Sequence, residues 1–150
     1  MSCILRVSGE SLDLAKVLEV ISFSPYETHQ KGTPKRRKPN LPHEDSGFKV
    51  DVSDAAMSDF PQQCKDAEDF LRRHFVELGR LDKVDGAELD FGYDCRIGTG
   101  AADKRICVQN DYIPAGLVKL CGELSIGIAL TQFPPREEDE ECEQDATSNR

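Results

Sequence analysis

Cys3-Ile4-Leu5-Arg6-Val7-Ser8, then Leu12-Asp13-Leu14-Ala15-Lys16-Val17-Leu18-Glu19-Val20-Ile21, and then, beyond a long polar stretch, Ser46-Gly47-Phe48-Lys49-Val50-Asp51-Val52 make up the part of the chain that decides the fold. The first segment alternates, with Cys3, Leu5 and Val7 on one face and Ile4, Arg6 and Ser8 on the other, so it reads as a strand. Leu14, Val17, Leu18 and Ile21 recur at helical spacing, with Ser11 as the expected N-cap and Asp13 in the first turn, where the helix dipole favours a negative charge. Pro25 prevents the helix from continuing. Phe48, Val50 and Val52 alternate with Lys49 and Asp51 as a second strand.

Outward from this frame, residues 28–45 are polar, basic and punctuated by Pro34, Pro39 and Pro42, and they read as a long exposed loop. A second helix should open at Asp59, with Pro61 tolerated in its first turn. It should bury Cys64, Ala67, Leu71, Phe75 and Leu78 and stop at Gly79. Leu89, Phe91 and Tyr93 alternate with acidic residues as a third strand with one wet face. Gly98-Thr99-Gly100 turns the chain, and Arg105–Val108 is expected to return as a fourth strand. A third helix is predicted over Ile113–Cys121, with Pro114 inside its start and Gly122 past its end. Leu124, Ile126, Ile128 and Leu130 supply the last strand. Three helices among five strands predict an α/β (α+β) two-layer sandwich with a mixed sheet, ferredoxin-like or a variant of it with one added hairpin.

A length of 150 residues suits a single domain, expected over 1–135. Pro134-Pro135 marks its boundary. Residues 136–150 carry seven acidic side chains against Arg136 and Arg150, with almost nothing a core could use, and are expected to be a disordered acidic tail. The net charge of −9 disfavours nucleic acid as a partner, because the field of the whole chain repels it. The one opposing segment holds Lys31, Lys35, Arg36, Arg37 and Lys38, and only Tyr26 lies near as a stacking platform.

No apolar run is long enough to cross a membrane. Residues 1–10 lack the basic and apolar regions of a secretory signal. Six cysteines at scattered spacings then predict reduced thiols in a cytosol. Cys64, Cys107 and Cys121 fall on apolar stripes and are expected to be buried.

The run Val7-Ser8-Gly9-Glu10-Ser11-Leu12-Asp13, the turn Phe23-Ser24-Pro25, Lys31-Gly32, Ser46-Gly47-Phe48-Lys49-Val50 and the closing Ile113-Pro114 helix together resemble a family of small bacterial domains known as domain of unknown function 4279. The resemblance spans residues 3–131. In that family an aromatic residue, commonly tryptophan, stands where this chain has Phe48. The resemblance implies an α/β fold and a bacterial, cytosolic setting. It implies no activity and transfers no functional residue.

Short motifs with a catalytic look have simpler explanations. Gly98-Thr99-Gly100 joins two expected strands instead of feeding a helix N-terminus, so it is a turn and not a phosphate loop. Asp90-Phe91-Gly92 lies inside an alternating strand without the other kinase motifs. Asp82, Asp85 and Gly86 lack the spacing of a calcium loop. His29, His43 and His74 have no ligand-spaced neighbour. A zinc site would need a chance meeting such as Cys64, Cys121 and His74. No cofactor motif and no acid–base pair emerges.

The candidate contact residues are therefore His29, Lys31, Lys35, Arg36, Arg37 and Lys38. The acidic composition and the lack of a catalytic constellation predict a non-enzymatic bacterial protein-interaction domain; in its sharpest form it would be an immunity protein that neutralises a toxin, its acidic side chains shielding the nucleic-acid path of a basic nuclease. A binding module that clamps a small anion with the basic loop is the alternative.

Overall fold

The alternation of residues 3–8 becomes the middle strand of a five-stranded sheet in the computed structural model, which describes residues 2–99 and 105–134. The elements are β1 (Cys3–Gly9), α1 (Leu14–Val20), β2 (Glu27–His29), β3 (Pro34–Lys35), β4 (Lys38–Pro42), β5 (Ser46–Ser53), α2 (Phe60–Arg73), α3 (Phe75–Gly79), β6 (Gly86–Asp94), α4 (Ala115–Glu123) and β7 (Gly127–Phe133). Strand order is β2-β5-β1-β6-β7, with a separate β3-β4 ribbon. The class is α+β with a mixed sheet, as expected, with four helices among the described residues.

β1 runs antiparallel to both β5 and β6, so those two strands are parallel to each other with β1 slotted between them. The α2–α3 connection spans that gap, giving a split βαβ unit. β6 and β7 are direct parallel neighbours joined through α4. The first strand–helix–strand unit differs: β1 and β5 are antiparallel, so α1 makes no parallel crossover.

Period-two alternation decides which side chains enter the core. Cys3, Leu5 and Val7 lie opposite Phe91, Leu89 and Ala87, and Val7 and Leu5 lie opposite Phe48 and Val50. The helices cover this face. Leu71, Leu89 and Leu117 are fully buried, and such burial stabilises by about 1.5–3 kcal/mol per side chain. Gln63 is also fully buried and ties α2 to β6 by donating to the Ala56 and Gly92 carbonyls at 3.2 and 3.0 Å. The opposite face is uncovered and charge-ordered. Arg6 bridges Glu88 and Asp90 at 3.3 and 2.6 Å, and Lys49 pairs with Glu27 at 2.9 Å.

Several local expectations change. The N-cap of α1 is Asp13, whose carboxylate accepts from the Lys16 N–H, and Ser11 lies outside the helix. The second helix divides at His74 into α2 and α3, and the Ser22 N–H, just past α1, donates to Glu77 of α3. α4 continues through Gly122 to Glu123, and Ser125 takes the left-handed backbone (φ 55°) that glycine usually supplies after a helix.

Arg105–Val108 is not a strand. Among the described residues, Ile106 pairs with Gly98 and Thr99, and Val108 is 80% exposed with no core face to fill. The fifth strand of the sheet is β2 instead, drawn from the start of the expected loop. The rest of 28–45 also contains strands, β3 and β4. The expected acidic tail, residues 136–150, lies outside the described residues, as does Gly100 of the expected turn. Among the described residues, no helix is long and apolar enough to cross a membrane.

Candidate functional site

Residues 27–46 form a small arm that starts on the edge strand β2 and ends at the beginning of β5 beside it. β2 places His29 beside Gly47 of β5. The chain then turns through Gln30–Thr33. Gly32 supplies the positive φ (84°) the turn needs, and the Thr33 N–H donates to the Gln30 carbonyl at 3.0 Å. Pro34 lies opposite Pro42, and Lys35 opposite Lys38, leaving Arg36-Arg37 as the tip. Prolines suit such a free ribbon, since they occupy positions where no ladder donor is required.

The six residues singled out in the sequence divide into two groups. Lys35, Arg36, Arg37 and Lys38 occupy the outer end of the arm, where all but Lys35 are exposed and none has an ion pair among the described residues. None of them lines a principal cavity of the described surface. Lys31 and His29 lie at the root. The Lys31 ammonium pairs with Glu10 at 2.7 Å, and its N–H donates to the Ser46 hydroxyl.

His29 is held from behind. Its Nε2 lies 3.0 Å from an Asp45 carboxylate oxygen, and its ring stacks on His43 with centroids 4.4 Å apart and planes at 25°. His43 is fixed through its backbone, accepting from the Gly32 N–H and donating to the Thr33 carbonyl, both at 2.8 Å. Burial alone would raise the Asp45 carboxyl, but hydrogen bonds from His29 and Ser8 outweigh it and hold the group below its ordinary value. His29, His43 and Asp45 are all half-buried. They are the only set of three or more metal-ligating side chains gathered within 4.8 Å among the described residues. Sequence reasoning missed this set: His29 and His43 lie far apart in sequence, and only the β2–β5 and β3–β4 pairings bring them together. The spacing that would have revealed a helical or knuckle-type site is absent.

Cys64, Cys121 and His74 do not form such a set. Cys64 and Cys121 are buried thiols pushed up to about 11, Cys64 by burial and the nearby Asp111 and Cys121 by burial alone; Cys3 is raised further by burial. Such thiols are inert. Cys107 is exposed, contrary to expectation, because its segment is not a strand.

Ser22, His74 and Glu77 also meet, but not in relay order. Ser22 Oγ and Glu77 Oε2 both lie at His74 Nδ1, 3.4 and 3.2 Å away, and the Ser22 hydroxyl donates a hydrogen bond to Glu77 at 2.7 Å. A nucleophile relay puts the histidine between hydroxyl and acid, one on each ring nitrogen. This cluster joins the segment just after α1 to α3.

The fold and the arm together define a mixed-sheet α+β domain that presents a cationic ribbon at one sheet edge. Compared with family models, curated proteins and solved structures, the chain has no match.

Proposed function

We propose that the chain is a non-enzymatic protein-interaction domain that docks onto an acidic protein surface through its basic arm. One observation carries this reading: Lys35, Arg36, Arg37 and Lys38 lie together at the end of a two-stranded ribbon with no ion pair among the described residues, whereas Lys31, Lys49 and Arg6 are each neutralised by a carboxylate. Unpaired cations on a projecting element keep their field for a partner and speed encounter. A convex ribbon suits an extended acidic surface better than a small anion, which needs a concave site.

Neutralising a toxin is one use of such docking. Membership of the domain of unknown function 4279 family, suggested by motifs spread over residues 3–131, belongs to the same proposal and adds no activity to it.

Binding of poly-L-glutamate, measured by fluorescence anisotropy with a phosphate titration and an RNA oligonucleotide alongside, tests the reading. The polypeptide should bind more tightly than phosphate or RNA, with affinity falling as salt rises, since exposed charges are screened over about 10 Å at 0.1 M. Reversing Lys35, Arg36 and Arg37 to glutamate should abolish binding without shifting Tm. Tighter binding of phosphate would favour the small-anion reading. An unaffected triple variant would move the contact to the acidic faces.

A further inference from the structure

We propose that His29, His43 and Asp45 form a site for a divalent transition-metal ion, zinc above all, that clamps the root of the arm to the sheet. Two imidazoles and one carboxylate are a donor set that zinc accepts, with a fourth position left for water or an external ligand. The dimensions fit. Tetrahedral zinc with bonds of about 2.0–2.1 Å has ligand atoms about 3.3 Å apart, and His29 Nε2 already stands 3.0 Å from Asp45 Oδ1. No pair of candidate ligand atoms is more than 4.8 Å apart.

The surroundings are built to hold these groups. Gly47 leaves room for the His29 ring, since a Cβ there would lie 2.7 Å from Cε1. The Lys31 N–H donates to the Ser46 hydroxyl at 3.1 Å, fixing the turn next to the ligands. A cleft of about 380 Å³ beside the cluster is lined by Glu10, Glu44, Asp45 and Asp85, and their negative field attracts a dication. Lys31, an opposing charge at the root of the arm, is itself paired with Glu10.

The rings stack with centroids 4.4 Å apart and planes at 25°, so an ion close to both cannot lie in both ring planes as they stand, and binding one ion turns His43 edge-on to His29. That rotation uses side-chain torsions alone, because the His43 N–H and carbonyl stay bonded to Thr33 and Gly32. The ion takes the place of the His29–Asp45 hydrogen bond, the ring proton of His29 standing on Nδ1 instead, and both imidazoles bind in the neutral form. The site stands independently of what the arm contacts.

Titration calorimetry of the full chain with zinc chloride, and the visible spectrum of the cobalt(II) form, test the proposal. One ion per chain should bind, with a cobalt spectrum free of thiolate charge-transfer bands. His43→Ala should weaken binding by more than the roughly tenfold typical of losing an outer partner, while Cys107→Ser should change nothing. If His29→Ala fails to fold, His43→Gln and Asp45→Asn serve in its place, with circular dichroism to confirm the fold. Absence of zinc binding, or binding that survives His43→Ala or is lost with Cys107→Ser, overturns the proposal.

Discussion

Gly47 and His29 are packed so closely that the glycine's missing side chain is what admits the imidazole. A Cβ on Gly47 would lie 2.7 Å from His29 Cε1 and 2.5 Å from the Val7 carbonyl oxygen. The second contact is with backbone in the middle strand of the sheet, which cannot swing aside. Gly47→Ala should therefore destabilise the fold by about 1–3 kcal/mol, the usual cost of overpacking, and loosen His29. Urea unfolding gives the first quantity and the histidine ring resonances give the second. A fully stable alanine variant would show that β5 can shift.

Phe48 is 1% exposed, facing Val7 on the core side and lying 6.1 Å from the Phe23 ring. Phe48→Ala should cost about 3–5 kcal/mol, measured by the urea midpoint at constant slope. Loss of binding to poly-L-glutamate with stability intact would instead place Phe48 on the interaction surface.

Ser125 holds a left-handed backbone after α4, with its N–H bonded to the Gly122 carbonyl and that of Ile126 to Cys121. Glycine adopts this conformation without the Cβ penalty. Ser125→Gly should raise stability by about 0.5–1 kcal/mol, visible as a higher Tm. A fall in Tm would mean that the serine hydroxyl contributes more than the backbone relief.

Thiol labelling should separate the cysteines by place in the fold. Cys107 is exposed and should react quickly under native conditions, while Cys3, Cys64 and Cys121 should react only on unfolding, because burial disfavours their thiolates. Peptide mass mapping after a short pulse of iodoacetamide decides it. Native labelling of Cys64 or Cys121 would contradict the packing of α2 against α4.

Acid sensitivity should trace in part to Glu77. Hydrogen bonds from the Ser22 N–H and hydroxyl, aided by His74, hold its carboxyl below the ordinary value against the opposing effect of burial. A group whose folded pKa is depressed contributes stability that is fully present above its unfolded pKa and is lost as pH falls through the folded one. Glu77→Gln should lower stability at neutral pH and flatten the acid limb of a stability–pH curve from urea unfolding. An unchanged limb would assign the loss to other carboxyls.

Much of the fold is legible in the chain because its signals are local. Cys3, Leu5 and Val7, or Cys64, Ala67 and Leu71, reveal their buried faces through spacing alone, since strand and helix periodicities are properties of neighbouring residues. Asp59 and Pro61 mark a helix start for the same reason. Signals fail where a local pattern lacks a tertiary home: Arg105–Val108 has strand character but no sheet edge to join, and Ser11 looks like a cap that Asp13 provides instead.

From sequence alone came the α+β class, the core faces of β1, β5, β6 and α2, and the concentration of cations between Lys31 and Lys38. Strand order and direction came from the tertiary structure, because pairing energy depends on which edges meet and not on any one segment's pattern. The same long-range pairing turns residues 34–42 into a ribbon, frees its four outer cations while neutralising Lys31, and sets His29, His43 and Asp45 against one another. A contact between residues distant in the chain leaves no periodic trace, so only the folded backbone could bring that cluster together.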